Sequence, residues 1–300
     1  MTSYLLADVI PAVRRVRLPF SRDQFMLLMA AVNEILLGVE TYLAHVISGT
    51  IVTREWIPII GGPVLGVTLL AAGLVAFKNR MAANIMATLA FLASIVIGVL
   101  GTYYHLVRAV LPNAPAGEQV SLSVLVWAPP LLAPIMFAVI GILGMSAAWQ
   151  ESAPDSGTLI LPGGLRLRLP YSKTRAYFFV VAIAALFTVI SSVMDHARGG
   201  LENPWVWVPF AAGVFAVIVS VTVGFIDRLN PSDVFWYLVA MVLMILVGVI
   251  GAGLHAGENL ASVGQFVSER FIRGAPIFAP MLFADIGAIG IIVLLKPEDA

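Results

Sequence analysis

The chain has 300 residues, of which 60% are hydrophobic and 11% charged, with a formal net charge of +0 at pH 7. A mean hydropathy of +0.98 lies outside the range of soluble domains and reads as an integral membrane protein; neutral charge with no basic run leaves no footprint for nucleic acid. The absence of cysteine excludes thiolate metal sites, iron–sulfur clusters and disulfides, so any metal or cofactor falls to histidine, carboxylate or methionine.

Residues 1–23 carry Arg14, Arg15 and Arg17 among Leu5, Leu6, Val9, Ile10 and Val13. They lack the order of basic end, apolar stretch and cleavage site that marks a signal peptide, and they read as a cytoplasmic interfacial segment or a tail. Eight apolar stretches of membrane-spanning length follow, roughly 24–47, 57–77, 82–108, 126–148, 175–197, 206–226, 233–256 and 275–295. The longest polar connection, with Pro154, Pro162, Gly163 and Gly164, predicts a cytoplasmic linker over 151–174 between repeats at 24–150 and 175–300.

The halves repeat one another. Arg17-Leu18-Pro19-Phe20-Ser21-Arg22 returns as Arg168-Leu169-Pro170-Tyr171-Ser172-Lys173, and Ala133-Pro134 with Phe137 returns as Ala279-Pro280 with Phe283. Four spans per half bring both halves into the membrane in the same direction. The fold class expected is therefore all-α, with eight transmembrane helices as two parallel four-helix-bundle repeats. Basic residues collect on one side (Arg14, Arg15, Arg22, Arg80, Arg166, Lys173 and others) and are fewer on the other (Arg54, Arg108, Arg198, Arg270, Arg273). That bias places both termini in the cytoplasm of a multi-pass protein of a bacterial-type inner membrane.

The only four histidines fall into matched pairs, His45 with His105 and His196 with His255. All four lie toward the outer ends of their spans, and first and third helices face one another diagonally in an up-down-up-down bundle. Opposed imidazoles at one depth suit an iron held from both faces of a macrocycle, so haem b is the cofactor expected, with bare copper or iron as the alternative. Gly98 and Gly101 before His105, Gly248 and Gly251 before His255, and Gly38 before His45 share the histidines' helical faces. Such glycines either admit a flat ring or mark close helix packing. Glu40, Asp195 and Glu258 lie near the histidines in sequence, as alternative ligands or second-shell partners.

Glu34, beside Asn33, and Asp285 sit deep within spans, where acids default to proton or ion pathways; no counterpart of either exists in the other half. Trp56, Trp127, Trp205 and Trp207 fit an outer aromatic belt, though Trp56 and Trp207 keep a fixed distance from the histidines and are placed to roof a cofactor. Tyr103 and Tyr104 are positioned to meet a quinol. The function expected is that of a membrane redox protein, a candidate oxidoreductase subunit of electron transport. It would exchange electrons with quinone or a periplasmic carrier, inside the lipid bilayer and beside other membrane subunits. A proton or metal-ion transporter, or a structural subunit of a respiratory or photosynthetic assembly, are the other classes the sequence allows.

Overall fold

The computed structural model describes residues 5–15, 18–47, 49, 51–261 and 266–297; Arg17 lies outside them. A short helix α1 (Leu5–Val9) precedes three long ones, α2 (Arg22–Ile47), α3 (Trp56–Ala76) and α4 (Arg80–Ala109). Then come a short α5 (Leu122–Trp127) and α6 (Leu132–Ala148). A three-stranded antiparallel sheet, β1 (Gln150–Glu151), β2 (Thr158–Ile160) and β3 (Arg166–Arg168), fills the connection expected as a plain linker. The second half runs α7 (Lys173–Ala197), α8 (Trp207–Phe225), α9 (Pro231–Ala261), short α10 (Ser268–Arg273) and α11 (Phe278–Val293).

Among the described residues six helices are long and apolar enough to cross a membrane. Their apolar windows are only 28% to 44% buried, so most of their hydrophobic surface faces outward, as a lipid bilayer environment requires. The stretches expected at 126–148 and 275–295 are instead broken. After α5 the chain turns extended at Ala128, with ψ at 167°, directly before Pro129 and Pro130; the second break holds Pro276. A proline restricts the residue ahead of it to extended backbone and supplies no N–H to the preceding turn. What remains are apolar helices of 17 and 16 residues.

Local chemistry sets the helix ends. Ser21 and Gln24 form a reciprocal cap on α2, Ser21 N donating to Gln24 Oε1 at 2.9 Å and Gln24 N to Ser21 Oγ at 3.3 Å. Ser172 caps α7 through Arg175 N at 3.3 Å. Beyond the far ends of α2 and α7, Gly49 and Gly200 both take φ of 84°, the left-handed conformation that ends helices.

Within the first half, α3 and α6 each pack against both α2 and α4, which leaves α2 and α4 across from each other; α8 and α11 do the same for α7 and α9. The halves meet where α6 packs on α7 and α11 on α2. The segment before α2 is not detached: Leu6 and Ala7 are buried, α1 packs on α9, and Leu6 N donates to Leu294 O at 3.2 Å.

At the starts of α2 and α7 the seam is pinned by a buried ionic cluster. Lys173 Nζ donates to Asp23 Oδ2 at 2.6 Å and to Trp149 O at 2.9 Å, and Tyr177 OH donates to Asp23 Oδ1 at 3.1 Å. Arg22 reaches Asp23 Oδ1 at 3.2 Å and Thr174 Oγ1 at 2.6 Å, and its guanidinium lies over the Tyr177 ring. Arg22 and Lys173 occupy matching places in the sequence repeat, and their side chains are 1% exposed. Removing one member of a buried pair strands the other charge and costs about 3–5 kcal/mol, whereas an exposed pair is worth ~1 kcal/mol or less. Asp23→Ala should therefore lower the unfolding midpoint in detergent strongly. Asp227→Ala, which removes the exposed partner of Arg175, should barely move it; equal effects of the two would mean that the cluster does not hold the seam.

Candidate functional site: two imidazole pairs

α2 carries His45 toward His105 of α4, with ring centroids 6.1 Å apart and planes tilted by 55°. α7 and α9 bring His196 and His255 to 6.3 Å with a tilt of 51°. The supporting contacts correspond as well. His45 Nδ1 lies 2.7 Å from Thr41 O and His196 Nδ1 2.8 Å from Ser192 O, each in the preceding turn. His105 Nδ1 lies 2.8 Å from Pro130 O and His255 Nδ1 2.7 Å from Pro276 O, the carbonyls that the proline breaks turn toward the bundles. A carbonyl oxygen only accepts, so each ring donates from Nδ1 and, when neutral, keeps its lone pair on Nε2. Metal-binding histidines have this arrangement, one nitrogen tied to the backbone and the other turned to the ion.

The pairs differ in their surroundings. Glu55 Oε1 lies 3.9 Å from His45 Nε2 and 3.5 Å from Arg108 Nη1, and Val52 N donates to its other oxygen at 2.9 Å. The second pair has an aromatic wall in place of this acid, Phe210 meeting His196 edge-on at 6.0 Å. Neither Glu55 nor the two carbonyls stood out in the sequence. Glu55 has Val206 at its matching place, and a main-chain acceptor leaves no residue-type signal.

The expected carboxylate ligands do not join the imidazoles. Among the described residues no three His, Asp or Glu side chains converge as a metal-binding group. Glu40 leaves the His45 face of α2 and lies in electrostatic range of Asp195 across the seam, while Asp195 pairs with Arg198 at 3.7 Å. Glu258 is exposed.

The glycines on the histidine faces are packing contacts. A Cβ on Gly98 would stand 2.5 Å from Ala138 N, one on Gly101 would stand 2.7 Å from Pro134 Cβ, and one on Gly248 would collide with Ala284 N. Gly38 is closed by Pro63. The strip expected to receive a macrocycle is thus occupied by the neighbouring helix in both halves.

Deeper in the first bundle, Ser94 Oγ lies 2.5 Å from Glu34 Oε1 and 2.8 Å from Phe137 O. Asn33 Nδ2 donates to both oxygens of Asp285 across the seam, at 3.0 and 2.9 Å. Tyr103, Trp127, Trp205 and Trp207 are exposed. Trp207 meets Phe210 edge-on at 5.5 Å and so stands one ring away from His196.

No protein-family model, curated protein or solved structure matches this chain.

If these glycines serve packing, Gly98→Ala should lower the thermal midpoint of the metal-free protein. Gly253→Ala, where an added Cβ meets nothing within 4 Å among the described residues, should be neutral or stabilising by about 0.5–1 kcal/mol. Full tolerance of Gly98→Ala would restore the reading of that face as the wall of an empty cavity.

Proposed function

We propose that the protein is a membrane redox subunit in which each imidazole pair holds one copper or iron ion. The observation that carries this reading is the spacing of the rings. A metal bound about 2 Å from two opposed imidazole nitrogens sets the ring centres roughly 6 Å apart, and the two pairs stand at 6.1 and 6.3 Å. Imidazole without thiolate suits both metals. A bare ion is favoured over haem b because helices already fill the glycine faces that a porphyrin would cover. The ion would supply one-electron chemistry; the chain supplies two rings fixed by backbone carbonyls, and in the first pair the Glu55 carboxylate beside them.

In this reading the two shorter apolar helices complete eight spans, arranged as two parallel four-helix repeats. Both termini lie in the cytoplasm of a bacterial-type inner membrane, and the pairs sit near the outer face. Arg22 and Lys173 are held in the buried cluster, so the orientation rests on the remaining basic residues, among them exposed Arg166 and Arg168. Electrons would pass to a quinone at the bilayer edge beside exposed Tyr103, or to a periplasmic carrier, within an assembly of other membrane subunits. A proton or cation transporter is the second reading, and the buried Glu34 and the partly buried Asp285 favour it.

Elemental analysis with a visible or electron-paramagnetic spectrum of detergent-purified protein tests the redox reading. The result expected is two copper or iron ions per chain, one after His105→Ala or His255→Ala, and none after both, with an unchanged elution profile in each case. A folded, metal-free chain after expression with added copper and iron contradicts it; cation-dependent uptake by proteoliposomes containing that chain would favour the transporter.

A further inference from the structure

Glu34 is fully buried, and its second oxygen, Oε2, has no hydrogen-bond partner among the described residues. Its first oxygen and the Phe137 carbonyl both lie within hydrogen-bond distance of Ser94 Oγ. One serine hydroxyl carries a single hydrogen, and a carbonyl carries none. Each short contact has a hydrogen of its own when Ser94 donates to Phe137 O and a protonated Glu34 carboxyl donates to Ser94 Oγ; otherwise the two acceptors share the one hydroxyl hydrogen.

The position of this carboxyl is as informative as its partners. Glu34 and Ser94 each lie eleven residues before the histidine of their own helix, His45 on α2 and His105 on α4. Eleven residues are about three turns, or roughly 16 Å, so the acid–serine contact and the imidazole contact lie on matched helical faces, one above the other. Between the two layers come Thr41 and Thr102, whose hydroxyls donate to Leu37 O and Gly98 O. In the other direction Met26, Ala30, Ala87, Ala90 and Phe91 are buried and apolar. This apolar layer separates Glu34 from the buried Asp23 cluster and the Thr88–Trp149 hydrogen bond, whereas Thr41 and Thr102 lead from it toward the histidine end. The second half has Ala185 and Met244 at the places of Glu34 and Ser94, both buried.

We propose that Glu34 is a protonation site that exchanges its proton with water at the histidine end, along the faces of α2 and α4, and that it serves the first imidazole pair alone. In the exchange the Glu34 O–H bond breaks, the proton leaves to water, and the carboxylate that remains keeps Ser94 as its donor. On α2 itself Arg22 and Asp23 are held in the cluster with Lys173 and Tyr177 of α7, Glu40 lies in range of Asp195, and His45 faces His105. Asp285 on α11 reaches α2 through Asn33; the chains of α3 and α6 contribute none; Glu269, Arg270 and Arg273 of α10 lie at the histidine end. Charge placed on the first pair would then be balanced at Glu34, while the second pair, with Ala185 and Met244 at the matching places, has no such group. This inference rests on the membrane reading and not on the identity or presence of the metal.

The test is infrared difference spectroscopy of metal-free protein in nanodiscs, following the carbonyl stretch of a protonated carboxyl during transfer into deuterated water. The result expected is a band that is present in the wild type, absent from Glu34→Gln and shifted by deuterium. Its exchange should slow by an order of magnitude in the Thr41→Val, Thr102→Val double variant, and His105→Ala should displace the band where His255→Ala does not. Ser94→Ala, which should move the band without removing it, guards against misassignment if Glu34→Gln fails to fold. Absence of the band, exchange indifferent to both threonines, or equal responses to the two histidine variants overturns the proposal. Because no metal enters the measurement, these outcomes are separate from those of the elemental analysis.

Discussion

Two buried basic side chains, Arg22 and Lys173, share Asp23 at the seam between the halves, and this contact sets the terms for the rest of the molecule. Ions removed from water are tolerable only with near-complete pairing. The cluster can form in one arrangement only, with the first turns of α2 and α7 side by side and the Trp149 carbonyl turned inward. It fixes the axial register of two helices that otherwise meet lipid and apolar neighbours, where packing alone discriminates poorly among sliding positions. His45 and His196 each follow their basic residue by 23 positions, a rise of roughly 35 Å. The imidazoles are thereby carried to the opposite end of the bundle, at a common level.

At that level the proline breaks supply what regular helix does not. A helix interior spends its carbonyls on its own N–H groups, so an acceptor for a ring nitrogen has to come from irregular backbone. Pro130 and Pro276 end their breaks with carbonyls facing the bundles, and the histidines of α4 and α9 use them. The same breaks shorten α6 and α11, which lets these helices lie close against Gly98, Gly101, Gly248 and Gly251. Close packing and ring orientation thus have one origin. What differs between the halves is polarity around this common frame: Glu55, Arg108, Glu34 and Ser94 in the first, Phe210, Ala185 and Met244 in the second. The two scaffolds are thus similar in frame and unlike in polar content.

The hydropathy pattern made six long helices legible in the sequence, because a twenty-residue apolar run has few other solutions. The repeat offsets found the histidine pairs, and the structure brings those rings together. The fourth and eighth stretches form shorter helices than their hydropathy predicts, since hydropathy does not register the backbone break that proline imposes. Arg22 and Lys173 count in the sequence only among the basic residues that mark the cytoplasmic side. Their burial depends on Asp23, Tyr177 and the Trp149 carbonyl arriving from three elements, and no local pattern encodes that meeting. The glycine faces were legible as faces but not in what covers them. Glu40 does not stand beside His45, because five residues along a helix turn a side chain away from the histidine rather than toward it.

The pairing of imidazoles around a bare ion is the central claim, and X-ray absorption at the metal edge of the purified membrane protein tests it most directly. The expected spectrum has two nitrogen neighbours at about 2 Å, with the outer-shell scattering of imidazole rings, in the wild type and in the Glu40→Gln and Glu258→Gln variants alike. A four-nitrogen porphyrin plane, a shell of oxygen alone, or a spectrum unchanged when His105 and His255 are both replaced would contradict it.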